Sequence, residues 1–124
     1  MEAMQELAKN FFDAVEKGDT TALRTYYAPN AEIWHNTDEA IQTPDDNVAT
    51  LEGFVKRIRD RKYTDRRVHV FPGGFVQQHT LTGVRTADNV PVRLVCCIVC
   101  QVKDGRITRL DEYFDSAAVA KFRA

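Results

Sequence analysis

Apolar positions in the first third of the chain recur at helical spacing. Met4, Leu7, Ala8, Phe11, Phe12 and Val15 form one stripe, while Glu2, Lys9, Asp13 and Lys17 fill the other side. That pattern predicts an amphipathic helix. Gly18 is its C-terminal stop. Asp19, Thr20 or Thr21 can then cap a short second helix carrying Leu23, Tyr26 and Tyr27, which Pro29-Asn30 ends. Ala31 to Asn36 reads as a short strand, and Thr37 to Asp46 as a polar loop containing Pro44. Asp45, Asp46 or Asn47 can cap a third helix, with Val48, Leu51, Phe54, Val55 and Ile58 on one stripe. This helix is expected to fray near Arg61.

Beyond that point the period changes from 3.6 to 2. Arg67 to Phe71 alternates, Pro72-Gly73-Gly74 turns, and Phe75 to Val84 forms a second long strand. Thr86-Ala87-Asp88-Asn89 turns again. Val90 to Val102 is β-branched and apolar on both faces, as expected of a central strand covered on two sides. Its faces are Arg93, Val95, Cys97, Val99 and Gln101 against the even-numbered set from Val92 to Val102. Asp104-Gly105 joins it to Ile107–Phe114 by a hairpin, and Ser116 can cap a last helix through Phe122. Helices first and a strand meander afterwards define an α+β fold. A length of 124 residues fits one domain, with no repeat or linker dividing it.

Composition excludes several functions. The chain carries 17 basic and 18 acidic side chains, so a nucleic-acid partner is not expected. The basic stretch from Lys56 to Arg67 is broken by Asp60 and Asp65, and reads as a solvated helix face and the loop after it. No apolar run is long enough to span a bilayer and no signal peptide is evident, so a cytoplasmic protein without a membrane partner is expected. Cys96, Cys97 and Cys100 lie in one apolar run without a second ligand pair, which favours buried reduced thiols over a zinc site. The three His are scattered, and no Gly-rich phosphate loop or Ser nucleophile motif occurs. No metal or cofactor is therefore expected.

The phrases Phe11-Phe12-Asp13-Ala14, Gly18-Asp19 and Tyr26-Tyr27-Ala28-Pro29-Asn30-Ala31 resemble the opening of SnoaL-like proteins. Asp104-Gly105-Arg106-Ile107 and Glu112-Tyr113-Phe114-Asp115 resemble their ending. The likeness to this nuclear transport factor 2-like superfamily covers nearly the whole chain. The superfamily includes ketosteroid isomerase-like and polyketide cyclase-like proteins. The resemblance implies a cone-shaped, curved antiparallel sheet packed against three N-terminal helices and enclosing a pocket. It also implies a homodimer formed through the sheet.

It further implies which polar residues matter. The acid directly before the Tyr-Phe-Asp ending projects into the family's cavity; here it is Glu112, on the face shared by Thr108, Leu110 and Phe114. Desolvation there suits a general acid or base. The competing reading pairs Glu112 with an Arg such as Arg93. His79 shares a face with Phe75, Gln77 and Leu81, and is either a proton partner of Glu112 or a hydrogen-bonded core residue. Trp34 and Asn36 match the spacing of an aromatic residue and an Asn that hold the attacking water in the epoxide hydrolases. Alternatively they are a core anchor and a strand-ending Asn. Phe54 and Leu110 complete the expected substrate wall.

The family's epoxide-hydrolase pattern needs an Arg-x-Asp that Gln77-Gln78-His79-Thr80-Leu81 lacks, and its steroid-isomerase pattern needs a Tyr where the first helix has Phe11 and Phe12. Two expectations follow. One is acid–base isomerisation, cyclisation or dehydration of a small, apolar, carbonyl-containing molecule by Glu112 and His79. The other is a non-catalytic ligand-binding or dimerisation module of the same fold.

Overall fold

The computed structural model describes residues 2–123. Its order is α1 (Glu2–Lys17), α2 (Thr20–Tyr26), β1 (Tyr27–His35), β2 (Ile41–Gln42), α3 (Pro44–Arg57), β3 (Ile58–Phe71), β4 (Gly74–Arg85), β5 (Pro91–Lys103), β6 (Arg106–Phe114) and α4 (Ser116–Arg123). The architecture is the α+β one expected. One six-stranded, curved, unclosed sheet runs β2-β1-β6-β5-β4-β3.

The sheet is mixed, which corrects the antiparallel expectation. β3 to β6 form an antiparallel meander, but β1 lies parallel to β6. Four strands and a helix separate the two in sequence, so this pairing has no local turn signal to reveal it.

Helix ends follow their local chemistry, with shifts from the expected caps. Asp19 caps α2 by accepting from the Ala22 N–H. Thr43, rather than Asp45, Asp46 or Asn47, caps α3 in a reciprocal capping box with Asp46, and Pro44 opens the helix. The helix then ends at Arg57 instead of fraying to Arg61, because the chain turns directly into β3. Pro29 and Asn30 do not end a helix; they sit inside β1 at an interruption of the β1–β6 register, where a residue without an N–H is tolerated.

β3 is the longest strand, at 14 residues. Two register shifts interrupt its pairing with β4, between Arg59 and Lys62 and between Thr64 and Arg67. At each, an Asp takes a positive φ: Asp60 at 55° and Asp65 at 54°. Each bulge adds a residue and resets the alternation. The stretch Lys56 to Arg67 is therefore mostly a bulged, charged edge strand, not a solvated helix face. Such an edge resists pairing with another chain. Arg66 ties it to α1 through Asp13 (2.7 Å) and Glu16 (3.3 Å), and the Tyr63 N–H donates to the Glu16 carboxylate (2.8 Å).

The helices cover one face. Phe11 and Phe12 of α1 pack edge-on to each other and lie against Ile33, Phe75, Ile98 and Leu110. A second cluster seats Val119 and Phe122 of α4 on Ile58, Leu81, Leu94 and Cys96. Burial of each of these two apolar side chains contributes about 1.5–3 kcal/mol toward docking α4. On the opposite face Val95 is 56% and Tyr113 46% exposed.

The turns explain one close approach. Asp104 and Gly105 both have positive φ, as the two-residue hairpin requires. At Gly74 a Cβ would stand 2.0 Å from the Cys100 carbonyl oxygen and 2.7 Å from the Phe71 ring. Backbone cannot retreat there without breaking the β4–β5 ladder. Gly74→Ala is expected to destabilise the protein by roughly 2–3 kcal/mol, within the range of strain-type substitutions. Equilibrium urea unfolding measures this; a change below about 0.5 kcal/mol would contradict the packing described.

Candidate functional site

Glu112 points toward the helices from β6, between Leu110 and Phe114. Its partner is not Arg93, which is exposed on the other face. The parallel register sets His35 of β1 directly beside it, and His35 Nε2 lies 3.0 Å from Glu112 Oε1. Both side chains are about four-fifths buried, at 18% and 20% exposed.

Asn36 holds this register in place. Its backbone N–H donates to the Glu112 carbonyl (3.0 Å). Its side chain then extends the ladder: Nδ2 donates to the Phe114 carbonyl (3.0 Å) and Oδ1 accepts from the Phe114 N–H (3.1 Å). Asn36 is thus the strand-ending residue of the alternative reading, and it fixes the backbone from the Glu112 carbonyl to Phe114.

Trp34 faces the other way. Its ring packs on Tyr113 at 5.3 Å, on the sheet face away from the helices, so it does not line the interior cavity. Ala31 and Ile33 are buried and share the parity of His35. That parity was readable in the sequence and points His35 inward; the likeness to a Trp-x-Asn pair obscured it.

Two linked clefts meet at the His35–Glu112 pair. The outer cleft, of about 150 Å³, has Phe54, Leu81, Leu94, Phe114, Val119 and Phe122 as its apolar walls. The inner one, of about 50 Å³, reaches Phe11, Phe12, Tyr27 and Leu110. His35, Leu51, Tyr63 and Glu112 border both. Phe54 therefore lies on the wall of the outer cleft and Leu110 on that of the inner one. Tyr63 was not foreseen, because the bulges of β3 hide its orientation. Burial pushes its phenol well above the ordinary value, and the Glu112 carboxylate adds to the shift. It stays a hydroxyl donor throughout the physiological range. Tyr27 is used differently: its hydroxyl donates to Asn47 Oδ1 at 2.7 Å, inside the core.

His79 lies deeper and borders neither cleft. It is 2% exposed, with its ring 4.8 Å from that of Tyr63 and 5.2 Å from that of Phe12. Nδ1 is 3.0 Å from the Gln77 amide nitrogen, and Nε2 is buried without a hydrogen-bond partner among the described residues. Burial lowers its pKa from 6.5 to about 4; the Glu112 carboxylate opposes the shift and Arg66 adds to it. Neutral imidazole is the form present near neutral pH.

All three cysteines are free thiols, Cys96 and Cys100 buried and Cys97 half-buried. Burial pushes the Cys96 and Cys100 thiols up, so neither serves as a thiolate nucleophile. Sequence spacing gave no metal motif, yet the fold brings donor atoms of His79, Cys96 and Glu112 within 4.8 Å of one another from three strands. Among the described residues no helix is long and apolar enough to cross a membrane.

The family model for the SnoaL-like domain matches residues 8–110. The chain is similar in structure to a proposed polyketide cyclase from Xanthomonas campestris pv. campestris, at 16% identity and a TM-score of 0.87, covering 99% of this chain and 98% of that one. It is also similar to a proposed isomerase from Bacillus subtilis (17% identity, TM-score 0.84, 98% and 93% covered). A nuclear transport factor 2-like protein from Burkholderia xenovorans LB400 gives 17% identity and a TM-score of 0.81 over 100% and 98%. These likenesses show the fold. No curated protein matches the sequence.

The low pKa of His79 makes a stability prediction. The unfolded chain takes up this proton near pH 6.5, and the folded protein only near pH 4. The unfolded state therefore binds more protons between those values, and stability falls as pH falls through that window. The loss is expected to reach up to about 3 kcal/mol. Denaturant unfolding from pH 7 to pH 4 should show it, and His79→Gln should flatten that part of the curve. The groups facing His79 are Glu112, Arg66, Tyr63 and Cys96.

Proposed function

The chain belongs to the SnoaL-like domain family, and from that premise we propose that it moves a proton beside the carbonyl group of a small, mostly apolar molecule bound against His35 and Glu112. The observation that carries this reading is the 3.0 Å His35–Glu112 contact at the meeting of two apolar clefts. A carboxylate held among Leu110, Phe54 and Phe114, with one oxygen oriented by an imidazole, keeps its second oxygen for a substrate C–H.

In the proposed step Glu112 takes the proton from the carbon next to the carbonyl. The C–H electron pair moves into an enolate, whose oxygen accepts a hydrogen bond from the Tyr63 hydroxyl. Returning the proton to another carbon isomerises the substrate; attack of the enolate on a second carbonyl, whose new alkoxide takes the proton from Glu112, cyclises it; loss of a β-hydroxyl that takes this proton and leaves as water dehydrates it. A phenol kept protonated by burial suits the donor role, because it adds no negative charge beside the developing oxyanion. A cleft of about 150 Å³ is below the roughly 300–1,000 Å³ of drug-sized sites, which favours a compact substrate. His79 acts from behind as a neutral packing and positioning group, not as the proton carrier.

One observation favours a second reading, a quiet binding cavity: His35 and Glu112 already satisfy each other. Proton exchange separates the two. Deuterium incorporation into the carbons flanking the carbonyl of cyclohexanone, followed by NMR in deuterated buffer, should be accelerated by the protein. Glu112→Gln should lower that acceleration roughly 10²–10⁴-fold, the usual range for a positioned base, with unchanged thermal stability. Wild-type rates equal to buffer, together with stabilisation by the ketone, would favour the binding reading instead.

A further inference from the structure

We propose that His79 Nε2, Cys96 Sγ and a Glu112 carboxylate oxygen form a binding site for one divalent cation of the Zn²⁺ kind. Three adjacent strands build it. His79 on β4 stands directly opposite Cys96 on β5, and Glu112 on β6 stands opposite Ile98, two residues further along β5 on the same face. Their donor atoms all fall within 4.8 Å of one another. A tetrahedral ion held at about 2.0–2.3 Å needs its ligands roughly 3.5 Å apart, a closure that side-chain rotation supplies.

An independent observation points to a ligand. His79 is 2% exposed, and its Nε2 makes no hydrogen bond among the described residues, although a thiol and a carboxylate stand beside it. An unpartnered buried polar atom is costly, and a metal ion would satisfy it. Behind the ring, Gln77 lies 3.0 Å from Nδ1, and its own Oε1 also lacks a partner. Amide oxygen and nitrogen have nearly the same shape. With Oε1 turned toward the ring, Nδ1–H donates to it and Nε2 presents its lone pair to the trio. That is the outer-shell arrangement metal-binding histidines use.

Charge and softness select the ion. A thiolate and a carboxylate supply −2, which a divalent cation neutralises in a buried site. A sulfur, nitrogen and oxygen set suits Zn²⁺ and disfavours Mg²⁺ or Ca²⁺. Binding replaces the S–H bond of Cys96 with a sulfur–metal bond and releases one proton to solvent. Of the three ligands only Glu112 borders these two clefts, while His79 and Cys96 border a separate one beside Arg66, Arg93 and Tyr113. One Glu112 oxygen is already bonded to His35, which orients the carboxylate from its other side.

The inference shares Glu112 with the proton-transfer reading but does not rest on it: with one oxygen on His35, the other serves either the substrate or the metal, so the two uses are mutually exclusive, and the readout here is metal binding rather than turnover. Chelator-treated protein is titrated with Co²⁺, a spectroscopic stand-in for Zn²⁺. The wild type is expected to bind one equivalent, with intense near-ultraviolet thiolate-to-cobalt absorption and the visible bands of a tetrahedral ion, and Zn²⁺ should displace it. Cys96→Ser should lose the near-ultraviolet band, Cys97→Ser should keep it, and His79→Gln should weaken binding at least tenfold. Failure of the wild type to bind one equivalent, or a band that survives Cys96→Ser, overturns the proposal. If Cys96→Ser does not fold, the remaining variants decide: a band lost in Cys97→Ser, or unchanged affinity in His79→Gln, is equally fatal.

Discussion

The site depends on one pairing that has no turn to enforce it, the parallel alignment of β1 with β6. Every other main contact in the sheet follows from hairpins, whose geometry is set by residues such as Asp104-Gly105. β1 must instead find β6 after the chain has passed through α3 and four further strands. Its register is secured by Ile33, fully buried in the main core, and by Asn36, which bonds both the N–H and the carbonyl of Phe114. A slip of one residue would turn Ile33 to the outside and Trp34 into the core. It would also remove His35 from Glu112.

Two histidines in this chain illustrate how environment divides one side chain's uses. His35 is part-exposed, touches a carboxylate and borders a cavity. His79 is sealed behind Phe12 and Tyr63 and is held neutral by burial. The same carboxylate lies near both. Both proposals therefore turn on Glu112, whose oxygen not bonded to His35 would serve either a substrate on the cleft side or a metal on the core side.

Much of the fold was legible because it is written in local patterns. The α1 stripe, the β4 to β6 alternation and the Asp-Gly turn each name their element from a few residues. The path of β3 was not legible, because two left-handed Asp residues at bulges break the alternation that would announce a strand. The mixed sheet escaped for a different reason: parallel neighbours distant in sequence leave no short-range mark. The same two gaps account for the site. Glu112 was found from its own strand, but its partner His35 depended on the parallel register and Tyr63 on the bulges. Trp34 was drawn inward by likeness to another family pattern, against the parity of Ala31 and Ile33. The donor trio of His79, Cys96 and Glu112 comes from three strands and has no spacing in sequence at all.

The claim on which the account turns is that the interior cavity at His35 and Glu112 receives the ligand. Phenol, a small ring with an enolate-like oxygen, tests it without a known substrate. Its binding can be mapped by NMR chemical-shift changes across the assigned protein. The account predicts the largest changes at His35, Tyr63, Glu112, Phe54 and Phe122. Changes confined to Val95, Tyr113 and Trp34 on the opposite face of the sheet, or none at saturating phenol, would contradict it.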